Sequence, residues 1–422
     1  MRKSFREDDR KKPPGDVQVR IDKLVYGGDG LGRLDGRVIF VPFSAPGDTL
    51  SIRILESRKG FARAEIREIL EPGSSRRVPA CRYFGVCGGC SWQHVEYSEQ
   101  LEAKRKILEE IIRHRFPETR RLEIGMRPCP AEYGYRSRAR IQVRRSIQGL
   151  TLGFYRMRSH TVEQIDACPL LRPSLNNALA ALRERFDRNP PPVGVREIEI
   201  AASEDTQNWA CSSTESGADF GTASGGTTGE ENRRLARKIQ AFTYSVSPSA
   251  FFQANDFMIA DLLSCVMSLV QEAAPGSALD LYGGVGLFSL PLARQAREVA
   301  VVESNPVAAG HCRANAAAAE LTNIRVIQAD AGEWLSSTIA KPASGIDLVL
   351  LDPPRAGAGK ALMELIPGIG ATSVIYVSCD PQTLARDLAA LCGHGYSIDF
   401  VEGLDLFPQT YHFETVVRLR RG

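Results

Sequence analysis

From about residue 278 onward the chain alternates short apolar runs with stretches of helical periodicity, and this pattern limits the fold more than any other feature of the sequence. Strand-like runs lie at 278–282, 298–303, 324–328, 347–351, 373–378 and 396–401, with helical stretches between them, notably 306–321 and 383–392. Such alternation implies a doubly wound, mainly parallel sheet, an α/β fold of the Rossmann-like type. In these folds ligands sit at the carboxyl ends of the strands, so those positions are the ones to inspect.

The first run ends Asp280-Leu281-Tyr282-Gly283-Gly284-Val285-Gly286. Glycines there let the backbone approach a ligand closely, and a dinucleotide enzyme would have the same need. The second run ends in Glu303, roughly 20 residues on, where an acid can accept hydrogen bonds from ribose hydroxyls. The third ends near Asp330, placed to meet an adenine amino group. The fourth ends Asp352-Pro353-Pro354-Arg355. A rigid strand-end Asp-Pro-Pro loop is typical of methyltransferases acting on planar nitrogen bases, and it separates this chain from the dinucleotide enzymes.

The fifth run delivers Ser378-Cys379-Asp380-Pro381 to the same edge. A cysteine there could be core filler, but it also suits one reaction. Carbon-5 of uracil is a poor nucleophile; a thiolate adding to carbon-6 turns the ring into an enolate that can attack an electrophilic methyl. A base must then remove the carbon-5 proton so that the thiolate can leave. Glu414, in Pro408-Gln409-Thr410-Tyr411-His412-Phe413-Glu414-Thr415, is the candidate base.

Upstream, residues 16–72 read as a small β-barrel of the oligonucleotide-binding kind, with apolar runs broken by turns such as Gly27-Gly28-Asp29-Gly30. A helical stretch covers about 98–115. Residues 133–170 are rich in Arg and aromatics, and alternation over 136–144 puts Arg on one strand face. A row of guanidiniums with rings nearby can hold phosphates and stack bases, and a charged outer sheet face is the plainer alternative. The charge is unevenly placed: 18 basic against 10 acidic residues over 73–170, and 20 against 28 over 171–422. Residues 203–232 hold no Lys or Arg and read as a mobile loop or hairpin insertion.

There are ten cysteines. Cys81-x5-Cys87-x2-Cys90 in a Gly-rich loop, with Cys168 before Pro169, has metal-ligand spacing that suits a cubane cluster or a four-thiolate zinc. Cys129, Cys211, Cys265, Cys312 and Cys392 read as core or surface residues. The charged Met1–Gly15 segment has no apolar signal core and no run nears the ~18 apolar residues of a membrane span, so a cytoplasmic location without membrane contact is expected.

The motifs Phe251-Phe252-Gln253-Ala254-Asn255, Asp280–Gly286, Asp352–Gly357, Ser378–Pro381 and Pro408–Thr415, in that order and spacing, resemble the RNA uracil-carbon-5 methyltransferase family over residues 16–422. The resemblance implies a class I methyltransferase domain at 246–422, an N-terminal TRAM domain at 16–72 and an iron–sulfur domain at 73–245. It implies S-adenosylmethionine as cofactor, with Gln253, Tyr282, Glu303 and Asp352 lining the cofactor and base pocket and Asp330 matching less closely. Cys379 would be the nucleophile and Glu414 the base. Cys81, Cys87, Cys90 and Cys168 would hold a [4Fe-4S] cluster, with zinc the alternative. Gly283 departs from the family, where Cys is frequent. The expected partner of this monomer is RNA, 23S rRNA first and tRNA second. An exocyclic-amine methyltransferase is the rival enzyme, although such enzymes usually place an aromatic where this chain has Arg355. An RNA-binding iron–sulfur module with a vestigial methyltransferase fold is the rival from another class.

Overall fold

The structure is a computed structural model and describes residues 16–147, 149–203, 209–213, 219–222, 234–339 and 345–422. The described residues divide into two compact units, one within 16–85, 90–103 and 409–411 and one within 86–89, 104–408 and 412–422.

In the first unit, β1 (Val17–Leu24), β2 (Gly30–Leu34), β3 (Arg37–Val41), β4 (Thr49–Arg58) and β5 (Phe61–Glu71) close into a barrel in the order β1-β2-β3-β5-β4. Alternate residues point inward, so Val19, Ile21, Ile39, Val41, Leu50, Ile52, Ala62 and Ala64 form its core. Closure leaves no edge strand open to pairing with another chain.

Helix α1 (Tyr97–Arg115) follows, and then the short strand β6 (Gly125–Arg127). An antiparallel sheet of β7 (Arg138–Ser146), β8 (Gly149–Tyr155), β9 (Val162–Gln164), β10 (Glu197–Ala202), β11 (Trp209–Ser213) and β12 (Asp219–Thr222) has the order β12-β11-β10-β7-β8-β9. Helix α2 (Pro173–Arg188) covers one face, where Leu175, Leu179, Leu182 and Phe186 meet Ile141, Val143, Ile198 and Ile200. Strands β11 and β12 fall inside the stretch 203–232 expected as a loop or hairpin and pair antiparallel; apart from Ser203, the rest of that stretch lies outside the described residues. The strands β13 (Leu235–Ile239) and β14 (Phe242–Val246) form a separate hairpin.

The alternating segment builds one large sheet. After α3 (Ile259–Ala273) come β15 (Ser277–Leu281), α4 (Ser289–Ala293), β16 (Glu298–Glu303), α5 (Pro306–Ala318), β17 (Ile324–Gln328), α6 (Ala331–Ile339), β18 (Leu348–Leu351), α7 (Lys360–Leu365), β19 (Ser373–Ser378), α8 (Pro381–Cys392), β20 (Tyr396–Leu404) and β21 (Glu414–Arg421). The order is β17-β16-β15-β18-β19-β21-β20-β6, parallel except for β21. Every residue of β15, β18 and β19 is buried, as expected for strands covered on both faces. The edge strand β6 comes from far upstream and pairs in parallel with β20, Gly125 beside Glu402 and Arg127 beside Leu404. Among the described residues no helix is long and apolar enough to cross a membrane.

Candidate active site

The register of the sheet assembles the reactive groups. Ser378, the last residue of β19, pairs with Thr415 of β21. Cys379 follows Ser378 and Glu414 precedes Thr415, so an antiparallel pair sets a thiol and a carboxyl beside each other at one sheet edge. One strand over, Leu351 pairs with Tyr376, which brings Asp352 to the same edge. Glu414 is 3% exposed and its Oε2 has no hydrogen-bond partner. Burial, reinforced by the Asp352 charge and opposed by Arg355, holds its carboxyl well above the ordinary range. Burial together with Glu414 and Asp352 pushes the Cys379 thiol up to about 12, with Arg355 again opposing. Burial lifts Asp352 to about 7, against the Gln253 hydrogen bond. These groups share a poorly solvated site and are protonated in the resting protein to a degree that exposed groups would not be. Perturbed groups gathered at strand ends are the mark of a reactive site rather than of a packed core.

The cofactor side lies at the next strand ends. Tyr282 has a φ of 64° and starts the glycine turn, its N–H donating to Val302 O at 2.9 Å. Glu303 Oε2 accepts the N–H of Gly284 at 2.9 Å and Oε1 that of Asn305 at 2.7 Å. Two backbone donors thus fix the carboxylate while each oxygen keeps a lone pair for a diol. Asp330 Oδ1 accepts from Gly332 N at 2.9 Å and Glu333 N at 3.1 Å, which is the start of α6. A methyl group built on Gly283 would lie 2.3 Å from Val301 Cγ1, so any side chain there would force Val301 aside. This donor set, an open glycine turn beside a fixed carboxylate, fits an adenosine-bearing cofactor.

Asp280, to which the motifs alone assign no role, also belongs to this site. It is 1% exposed on β15, accepts a hydrogen bond from Ser289 Oγ, and leaves Oδ1 without a partner. Burial, opposed by Ser289 and reinforced by Asp352 and Glu303, raises its carboxyl to about 7. Its place at the head of the glycine turn was the available signal.

The loop after Asp352 is pinned by a second buried acid. Asp387 Oδ2 accepts from Ala358 N at 2.8 Å and from Tyr376 OH at 2.8 Å, and Gly359 N donates to it at 3.3 Å. Gly357 has a φ of 77°, and a methyl group there would lie 2.4 Å from Asp387 Oδ2, so only glycine fits. From another segment, Gln253 Nε2 donates to Asp352 Oδ2 at 3.4 Å. An open cavity of about 910 Å³, lined by Phe242, Tyr244, Arg294 and Asn315 among others, holds none of these residues.

The arginines of β7 have partners on several elements. Alternation does place Ala139, Ile141 and Val143 in the core and Arg on the other face of β7. Those guanidiniums are committed within the protein, however. Arg138 donates to the carbonyls of Pro248 at 2.5 Å and Ala250 at 2.6 Å. Arg140 pairs with Glu197 and Glu199 of β10 at 3.1 and 2.8 Å. Arg144 donates to Tyr155 OH at 2.6 Å, Arg145 to Pro191 O, and Arg156 pairs with Glu163 at 2.7 Å. Acids of β10, distant in sequence, pair with Arg140 alone; the other arginines of β7 meet carbonyls or a hydroxyl.

Cys81, Cys87, Cys90 and Cys168 are partly exposed and form no disulfide. Gly88 N donates to Tyr155 O and Met157 N to Val86 O, both at 2.9 Å, which ties the Gly-rich loop to the Arg-bearing sheet. Asn176 holds Cys168 by both its N–H and its C=O, at 2.9 and 3.1 Å. Among the described residues no group of three or more Cys, His, Asp or Glu side chains is gathered to hold a metal ion. Thiol donors of this kind suit an iron–sulfur cluster or a four-thiolate zinc.

Residues 230–422 match the family described as tRNA (Uracil-5-)-methyltransferase, and residues 16–66 match the TRAM domain. The 23S rRNA (uracil(1939)-C(5))-methyltransferase RlmD of Halomonas elongata is 31% identical over 96% of this chain and 89% of its own. The protein of that name from Pseudomonas entomophila is 31% identical, covering 97% and 95%. Among solved structures, the tRNA (uracil-54, C5)-methyltransferase of Pyrococcus abyssi in complex with S-adenosyl-L-homocysteine superposes with a TM-score of 0.72. It is 27% identical and covers 95% of this chain and 99% of its own.

Proposed function

The chain belongs to the S-adenosylmethionine-dependent RNA (uracil-5-)-methyltransferases, and on that premise we propose that it methylates carbon-5 of a uridine through a covalent adduct between Cys379 Sγ and carbon-6. The observation that carries this reading is the strand register that sets Cys379 beside Glu414, next to Asp352. Cys379 gives up its thiol proton to solvent, its Sγ adds to carbon-6, and the carbon-5–carbon-6 π electrons move toward carbon-5 and the carbon-4 carbonyl. S-adenosylmethionine supplies the methyl as a sulfonium and leaves as S-adenosylhomocysteine. Glu414 then takes the carbon-5 proton, the double bond re-forms and the thiolate is expelled. A carboxylate with a raised pKa is the stronger base, which suits this proton removal. Arg355 supplies a fixed positive charge that favours the thiolate, against Glu414, Asp352 and Asp380, which oppose it. Gln253 orients Asp352 beside the ring, and Tyr282, Glu303 and Asp330 bind the adenosine.

Cys379→Ala tests this reading: turnover and any denaturant-stable RNA–protein adduct should both vanish. Retained methylation would remove the covalent mechanism and favour an exocyclic-amine methyltransferase.

The relatives named for 23S rRNA make that RNA the first candidate and tRNA the second. Mapping 5-methyluridine in both RNAs from a deletion strain decides between them. Uracil inside a helix hides its carbon-6 face, so the target base lies in a loop or is flipped out. The functional parts are the barrel at 16–72, the central region at 73–245 and the methyltransferase at 246–422, working as a cytoplasmic monomer. Cys81, Cys87, Cys90 and Cys168 hold a [4Fe-4S] cluster of structural role, a reading supported by their spacing in the sequence. Stoichiometric zinc without iron or sulfide in the purified protein would replace it.

A further inference from the structure

Asn255 closes the Phe251–Asn255 motif, and nothing in the chemistry above uses it. It is fully buried. Its Oδ1 accepts the N–H of Phe257 at 3.0 Å, which fixes the amide so that Nδ2 donates to Leu406 O at 2.8 Å. Leu406 lies in the turn after β20, and Leu404, the last residue of β20, is the cross-strand partner of Glu414. The same turn is held from two other segments. Lys104 Nζ of α1 donates to Asp405 Oδ1 at 2.6 Å and to Phe407 O at 3.1 Å, and Phe407 N donates to Asp405 Oδ1 at 3.1 Å. Tyr135 OH donates to Pro408 O at 3.1 Å. Lys104 and Asp405 are both fully buried. A buried ion pair is a poor source of stability, because apolar groups of equal volume do as well; it does fix the backbone it grips.

We propose that Asn255, with Lys104 and Tyr135, is a positioning residue for proton removal from carbon-5: it locks the loop of Gln253 to the turn beside Glu414, so that the pocket acid and the base keep one separation. This rests on the assignment of Glu414 as base. Gln253, two residues earlier, holds Asp352, so one short loop grips both sides of the pocket. Thiolate addition and methyl transfer do not use Glu414, whereas proton removal and thiolate expulsion do. Loosening the turn therefore slows the second half of the reaction selectively.

The test uses full-length Asn255→Asp, Tyr135→Phe and Glu414→Gln with methyl-labelled S-adenosylmethionine and in vitro transcripts of 23S rRNA and tRNA. Asn255→Asp keeps the acceptor for Phe257 N and sets an oxygen against Leu406 O; Tyr135→Phe keeps the ring and removes one donor. For both, kcat falls about tenfold or more, since misplacement of a catalytic group by a fraction of an ångström has effects of that order. KM for S-adenosylmethionine stays within about twofold, and a methyl-labelled covalent adduct accumulates on denaturing gels. A fall in kcat without adduct, or unchanged turnover in both variants, overturns the proposal. If Asn255→Asp does not fold, Tyr135→Phe decides by the same criteria. Glu414→Gln separates the two claims: if it traps adduct and the other variants do not, the clamp alone is wrong. If Glu414→Gln turns over normally, the base assignment falls, and the clamp with it.

Discussion

Asp280 offers a direct measure of what the desolvated site costs. Its carboxyl is 1% exposed, has one partner in Ser289, and titrates near 7 instead of 3.8. A carboxyl whose folded pKa is raised favours folding least when charged. Stability is therefore highest below the unfolded pKa, falls as pH rises toward 7, and flattens above it. The slope is at most about 1.4 kcal/mol per pH unit for one proton. Across the whole shift the ceiling is about 4 kcal/mol, at about 1.36 kcal/mol per unit. Asp280→Asn removes the titration. Its amide places an N–H in the same pocket, which costs about 1–3 kcal/mol if unpaired, but that cost does not vary with pH. The readout is thus the change with pH, not the sign at one pH. Urea titrations at pH 5, 6, 7 and 8 should show the variant gaining about 1–3 kcal/mol on the wild type between pH 5 and 7, and little more at pH 8. Parallel stability curves for the two proteins would refute the argument that burial raises this carboxyl.

Three further outcomes follow from the geometry. Gly357→Ala, which drives a methyl group into Asp387 and strains a left-handed backbone, should cost about 2–4 kcal/mol and most of the activity, read by thermal melt and methyl transfer. Arg138→Met should destabilise the protein by about 2 kcal/mol or more through the abandoned carbonyls of Pro248 and Ala250, whereas Arg140→Ala, at an exposed ion pair, should shift stability by less than about 1 kcal/mol. Equal effects of the two would contradict the internal use of Arg138. In the protein without substrates, the Cys379 thiol, lifted to about 12, should alkylate at pH 8 at least about a hundredfold more slowly than an exposed cysteine, and peptide mass mapping would show it.

The alternation after residue 278 carried the parallel sheet, because strands buried on both faces must be continuously apolar, and five of the six runs became strands within a residue of their expected limits. The sixth runs on to Leu404 because β21 and β6 continue to pair with it, a tertiary cause invisible in the run itself. Strand β6 has only Gly, Met and Arg, too short to show a period, and its strand state depends wholly on β20. Cys379 and Asp352 were legible because strand ends in a doubly wound sheet converge. Glu414 was legible only through the reaction that needs it, and Asp280 was hidden behind the glycines it precedes. The ion pairs of Arg140 were not legible because its acids, Glu197 and Glu199, lie on another strand more than 50 residues away.

The borrowed edge strand has a consequence for how the protein is made. Gly125–Arg127 leaves the ribosome long before β20, its sole neighbour in the sheet, and must wait for about 270 further residues to be synthesised. Loop closure over such a span is slow and comes late in folding. A fragment beginning at residue 246 would therefore present β20 as an uncovered, hydrogen-bond-hungry edge, open to pairing with a second copy. The upstream half of the chain thus protects the methyltransferase sheet from self-association, a duty independent of any RNA it binds.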